Sequence, residues 1–156
     1  DVGLLCRACR VDMTEILDAT DLLMVNSGAI CEQFIGQHLL YNAPTYQQPE
    51  LYCWIRQKAG TSSEVDYVIQ HGTEIIPVEV KAGTTGRLKS LHVFVLEKHR
   101  NFALRFNADA PSLVHTATSV ASREVRKFHL LSLPLYMAGQ TNRLVKNQLF
   151  TGAYPR

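Results

Sequence analysis

The sequence predicts an α/β domain. Its mixed sheet joins a three-stranded antiparallel meander to a parallel strand reached through a crossover helix, with helices on both faces. Three observations carry this. Leu51–Arg56 and the two runs within Ser63–Lys81 are short, rich in β-branched and aromatic residues, and separated by turn signals. Arg87–His99 keeps Leu88, Leu91 and Val95 in helical step and leads into a further strand-like run, Phe102–Phe106, which makes a strand–helix–strand crossover. Gly28–Tyr41, after the cap signal Asn26-Ser27, is a helix apolar on nearly all sides, as expected of one buried between two layers.

The 156 residues, 46% hydrophobic and 19% charged, suit one globular domain spanning 1–156 and exclude a disordered or fibrous chain. No apolar run is long enough for a membrane span and no signal-peptide pattern opens the chain, so the expected setting is cytoplasmic, without a membrane partner. Asp1-Val2-Gly3-Leu4-Leu5 begins without Met and already in helical rhythm, as in a piece of a longer polypeptide. Residues 1–26 read as a helical lead-in with helices over 1–10 and 12–19. The net charge of +2 divides unevenly: residues 1–78 hold 4 Lys/Arg against 10 Asp/Glu, residues 79–156 hold 12 against 4. A basic half beside acidic residues suits a polyanion, although a solvated basic face gives the same count.

In chain order, Asn42–Glu50 is a polar connection with Pro44 and Pro49, and Lys58–Ser62 a loop. The hairpin follows, its turn signalled by His71-Gly72. Pro77 lies in its second strand and cannot donate to the ladder, which predicts a bulge or a departure from the sheet just before Glu79. Ala82–Gly86 is a turn. Residues 107–127 carry no readable pattern, Phe128–Leu133 reads as a last strand, and Thr141–Phe150 as a closing helix with Leu144, Val145 and Leu149 inward. Cys6-x-x-Cys9 has metal-like spacing but lacks a second pair and shares a helical stripe with Val2 and Leu5, which favours packing over zinc.

The chemistry concentrates at one end of the hairpin. Glu79 and Lys81 alternate out of the apolar second strand, and a tight turn brings Asp66 of the first strand to the same end. On the long helix Glu32 shares its face with Ala29, Ile35, Gly36 and Leu39, a costly place for a carboxylate unless a cation satisfies it. An ion pair with Arg56 or a C-terminal arginine would do so as well as a metal. Magnesium takes hard oxygen ligands and keeps several waters, so Asp66, Glu79 and the Val80 carbonyl suffice to hold it, with Glu32 completing the site. Lys81 then orients or deprotonates a water, its pKa pulled down by burial and up by its neighbours. Arg56 and Lys89 are candidate phosphate contacts.

Asp66, Glu79-Val80-Lys81 and an upstream helical glutamate resemble the PD-(D/E)XK motif of restriction-endonuclease-like nucleases. More specifically, Asp1–Leu5, Gly28–Phe34, Trp54, Glu64–Ile69, Pro77–Lys81, Ser90-Leu91 and Leu133–Tyr136 resemble, in that order, the C-terminal domain of a family of bacterial and archaeal AAA+-type predicted ATPases. Residue 65 is Val where the motif name has Pro, which is not a ligand. The resemblance implies a restriction-endonuclease-like core. It also implies Asp66 and Glu79 as magnesium or manganese ligands, Lys81 as the catalytic lysine and Glu32 as the helical acid. DNA and the ATPase domain of the same chain are the partners it implies, and a homo-oligomer is compatible with it. The expected activity is metal-dependent DNA hydrolysis; the alternative is a catalytically silent DNA- or protein-binding module of the same ATPase.

Overall fold

In the computed structural model, the described residues are 1–10, 27–58, 61–84, 86–118 and 124–150. The expected helix over 12–19 and most of the lead-in lie outside them. Three strands, β1 (Tyr52–Lys58), β2 (Thr61–His71) and β3 (Glu74–Val80), form the antiparallel meander. Pairing of Lys58 with Thr61 carries β1 and β2 through most of the expected 58–62 loop. His71 pairs with Glu74, so the second turn is Gly72-Thr73, with Gly72 at φ +62°.

Helix α3 (Lys89–Glu97) crosses over to β4 (Phe102–Asn107), which lies parallel to β3 as expected. Strand β6 (Lys127–Pro134) adds parallel to β4, and β5 (Ser112–Ala117) closes the far edge antiparallel to β6. The sheet is thus six-stranded and mixed, in the order β1-β2-β3-β4-β6-β5. Strand β5 falls in the stretch where the sequence shows no pattern. Only Leu113 and the end of the strand are even half-buried, so the alternation that marks a two-faced strand is missing.

The core has two layers. Ile76, Val78, Val80, Leu104, Phe106, Leu131 and Leu133 face α2 (Ser27–Tyr41), a 3-10 helix at Leu135–Gln140, and α4 (Thr141–Phe150). On the other face Ala103, Phe128 and Leu130 pack on Leu91 and Val95 of α3. Helix α1 (Val2–Ala8) packs against α2; Cys6 lies buried on it, and Cys9 caps its end. Helix α2 departs from expectation. It lies on one face of the sheet, burying only Ile35, Gly36 and Leu39 fully, while Tyr41 is 73% exposed. Its apolar surround reflects contact with β3, α1 and the 3-10 helix on adjoining sides, not enclosure between two layers.

No bulge forms in β3 at Pro77, and β3 stays in the sheet through β4, although its pairing with β2 ends just before Glu79. Pro77 pairs with Val68 and β3 runs on to Val80, because its pairing with β4 starts only at Val78 and the missing donor is not needed before then. The irregularity lies on β2. From Tyr52 to Trp54 β1 advances two residues while β2 covers three, Val68 to Val65. The additional residue falls at Asp66-Tyr67, and such bulges re-aim side chains. Pairing of β2 with β3 ends at Tyr67–Val78, so the two strands part where the acids stand.

Candidate functional site

The parting of β2 and β3 leaves a gap that the Asp66 side chain fills. Its Oδ2 accepts a hydrogen bond from the Val80 N–H at 2.7 Å. That bond takes the place of the ladder contacts that end at Tyr67–Val78 and fixes Asp66 against the Glu79-Val80-Lys81 segment. In an extended strand the N–H and C=O of one residue leave on the same edge, so the Val80 carbonyl emerges on the side of Asp66. The N–H of Lys81 bonds the Phe106 carbonyl at 2.8 Å, which anchors the segment to β4 on its other edge.

Glu79 is only 5% exposed. Its Oε1 lies 2.6 Å from Lys81 Nζ, and its Oε2 is buried with no hydrogen-bond partner. Burial pushes the Glu79 carboxyl above its usual range, and the charges of Asp66 and Glu32 push the same way against the hydrogen bond from Lys81. Burial likewise raises Asp66 over the opposing pull of the Val80 N–H and Lys81. Glu32 is raised by burial and then by the Asp66 charge. For Lys81 burial works downward, but the bond to Glu79 and the charges of Glu79, Asp66 and Glu32 outweigh it, so the ammonium persists. The two opposing effects foreseen for Lys81 are thereby ranked. Three carboxylates, Glu32, Asp66 and Glu79, act on the one Lys81 ammonium, an excess of two negative charges when all are ionised.

Glu32 is brought to this cluster by a lock absent from the sequence reading. The Tyr67 hydroxyl donates to the Glu32 backbone carbonyl at 2.9 Å. The ring lies against α2 because residue 36 is glycine: a Cβ there would stand 2.6 Å from the Tyr67 hydroxyl oxygen. A small residue one helical turn beyond an acid on the apolar stripe was the available signal. A second close approach holds the lysine, since a Cβ on Gly86 would fall 2.8 Å from Lys81 Cδ. Arg56 takes no part in balancing Glu32; its Nε is 2.9 Å from Glu97 Oε1 on α3, an ion pair between β1 and the crossover helix. Lys89 is exposed at the first residue of α3.

The donor set is hard oxygen throughout, which suits magnesium or manganese and not a soft metal. Among the described residues no three His, Cys, Asp or Glu side chains are grouped closely enough to enclose an ion. Magnesium, which keeps much of its water and needs only one or two carboxylates, still fits the buried, unpartnered Glu79 oxygen beside Asp66. Among the described residues no helix is long and apolar enough to cross a membrane.

The model of a domain of unknown function, DUF4143, matches residues 27–136, from the first residue of α2 into the 3-10 helix. The chain belongs to the DUF4143 family. No curated protein and no solved structure matches it. The DUF4143 match spans all four acidic and basic residues of the cluster, the Tyr67–Gly36 lock and the whole sheet, while α1 and α4 lie outside it.

Proposed function

We propose that this DUF4143 domain hydrolyses DNA phosphodiesters with a magnesium or manganese ion at Asp66 and Glu79, as a nuclease module of PD-(D/E)XK type accessory to an ATPase. The observation that carries the proposal is Glu79 Oε2, a buried carboxylate oxygen without a partner in a cluster two negative charges in excess. An apolar sheet gains nothing from such a group, whereas a divalent ion would satisfy it. The motif resemblance and the occurrence of DUF4143 in AAA-ATPase-associated proteins support the same reading.

A bound ion would supply Lewis-acid relief of the phosphate charge and a water activated for attack. Asp66, Glu79 and the Val80 carbonyl are the residues that would hold it, with Glu32 adding negative charge from the helix. The Val80 N–H keeps Asp66 from turning away. Lys81, tethered to Glu79 at 2.6 Å, is an ammonium donor aimed at the same place. It would orient the attacking water and steady charge on the phosphate.

Supercoiled plasmid incubated with the domain and manganese is expected to be nicked by the wild type and left intact by Lys81→Ala and Glu79→Gln. Equal traces for all three proteins overturn the proposal. A second reading, a DNA-docking module that does not cut, draws on the absence, among the described residues, of three acids grouped closely enough to enclose an ion. It predicts gel-shift retention that is salt-sensitive but indifferent to chelator and to Glu79→Ala.

A further inference from the structure

On the face covered by α3, the helix reaches β2, β3 and β4 but leaves a groove of about 450 Å³ over the meander. Trp54, Val68, Ile75 and Phe94 line it, together with the cations Lys98 and Arg100. Phe94 meets Trp54 edge-to-face, ring centroids 5.3 Å apart, so the indole is held in one orientation while remaining only half-buried.

Of the two cations, Arg100 is fixed by the backbone. Helix α3 is capped by Lys98, and His99 takes a left-handed φ of +53° where glycine is usual. The Arg100 N–H then bonds the Val95 carbonyl at 3.0 Å and the His99 N–H the Leu96 carbonyl at 3.4 Å, which turns the chain sharply. Arg100 Nε donates to the Lys98 carbonyl at 2.8 Å, placing the guanidinium beside the lysine. An apolar slot lined by one steadied aromatic ring and two cations matches a flat ring that carries an anion.

We propose that this groove binds a nucleobase with its attached phosphate, in an unpaired nucleic-acid strand, the base against Trp54 and the phosphate against Lys98 and Arg100. Bases in a duplex are stacked on one another and cannot offer a free face; unpaired ones can. Trp54 pairs in register with Val65, the residue before Asp66, so the groove begins one position from the acidic cluster. The inference rests on the nuclease reading for what it means: the domain meets its substrate at single-stranded or frayed segments.

Trp54 is the chain's one tryptophan, so its fluorescence reports the groove alone. Titrated in EDTA, the wild-type domain is expected to show saturable quenching by a thymidine 12-mer and weaker quenching by thymidine monophosphate. Matching duplex and heparin are expected to leave the emission unmoved. Quenching by the monophosphate equal to that by the 12-mer would assign the groove to a free nucleotide and overturn the strand reading. Quenching by heparin, or a flat trace throughout, would overturn the groove as a base site.

Anisotropy of labelled 12-mer tests the residues. Trp54→Ala is expected to weaken binding about tenfold, and Trp54→Phe to restore most of it. Lys98→Ala with Arg100→Ala, both outside the core, should flatten the salt dependence by roughly 0.7 in slope per cation removed. An unchanged slope contradicts the assignment. Because no metal is present and Glu79→Gln is expected to bind equally well, failure of the nuclease reading and failure of this one give different results.

Discussion

Two charged groups stand at the same level of the sheet on neighbouring strands and meet opposite fates. Glu79 on β3 is the register partner of Arg105 on β4, which is in turn the partner of Ser132 on β6. Arg105 is satisfied: its Nε donates to Ser132 Oγ at 3.1 Å and a terminal nitrogen lies 3.9 Å from Asp109. Glu79 has one oxygen on Lys81 and the other buried with nothing. A charge that the fold has finished is structural, while a charge left unfinished at a point where two strands part, among further acids, is what the proposed ion would complete.

The largest expected effect that separates the two is on catalysis. Glu79→Gln and Lys81→Ala should each lower metal-dependent cleavage by roughly 10²–10³-fold, the range for removing one electrostatic contributor, whereas Arg105→Ala should leave the rate per folded molecule unchanged. Rates normalised to folded protein check this. If Arg105→Ala falls as far as Glu79→Gln, the contrast between the two charges is broken.

Stability is expected to move the other way. Arg105→Ala should destabilise the domain by about 1–3 kcal/mol, since it strips partners from buried Ser132. Gly36→Ala should cost a similar amount, about 1–3 kcal/mol of overpacking, because its methyl would occupy the place of the Tyr67 hydroxyl. Tyr67→Phe should cost about 1 kcal/mol by losing the bond to the Glu32 carbonyl. Chemical denaturation measures all three.

Glu79→Gln should instead stabilise the metal-free domain, raising Tm by roughly 2–4 °C at neutral pH, the shift of about 1 kcal/mol for a domain of this size. The sign follows from burial. The folded-state pKa of Glu79 lies above its usual 4.5, so its contribution is whole below that value and is lost as pH rises through the folded pKa. In EDTA the wild type should therefore lose stability, relative to Glu79→Gln, as pH climbs from about 4.5. A parallel pair of pH profiles would contradict this.

The smallest effect is expected on the α3 face. Burial holds the His92 imidazole, packed edge-on against Phe128, below its usual pKa of 6.5. Its contribution is complete above that pH and is lost as pH falls through the folded pKa, so His92→Phe should lessen the acid-side decline in Tm. The change made by His92→Phe should be the same in the wild-type and Glu79→Gln backgrounds, which keeps the two titrations apart.

How much of this was legible follows from the same contrast. The meander, the crossover and the convergence of Asp66, Glu79 and Lys81 come from β-branched runs, a glycine turn and two-residue alternation, all local signals. Glu32 was legible as an acid on the one stripe of α2 that is buried. The bulge was not. Pro77 attracts attention as the residue that cannot donate, yet the irregularity sits at Asp66-Tyr67, where nothing in the residue types marks it, because it depends on how β1 registers against β2. Arg56 was matched to the wrong acid for a related reason. Its partner, Glu97, lies 41 positions on, and only the crossover brings α3 over β1. Strand β5 was invisible because a polar edge strand has one buried neighbour and no alternation to display.

The central claim is that the unpartnered Glu79 oxygen and its acidic neighbours hold one divalent ion. Calorimetric titration of the metal-free domain with manganese tests it most directly. The account predicts one ion per chain for the wild type, a Tm increase equivalent to about 2.7 kcal/mol at a hundredfold excess over Kd, and neither effect in Glu79→Gln. A wild type that takes up no manganese, or a Glu79→Gln variant that binds it equally well, would contradict it.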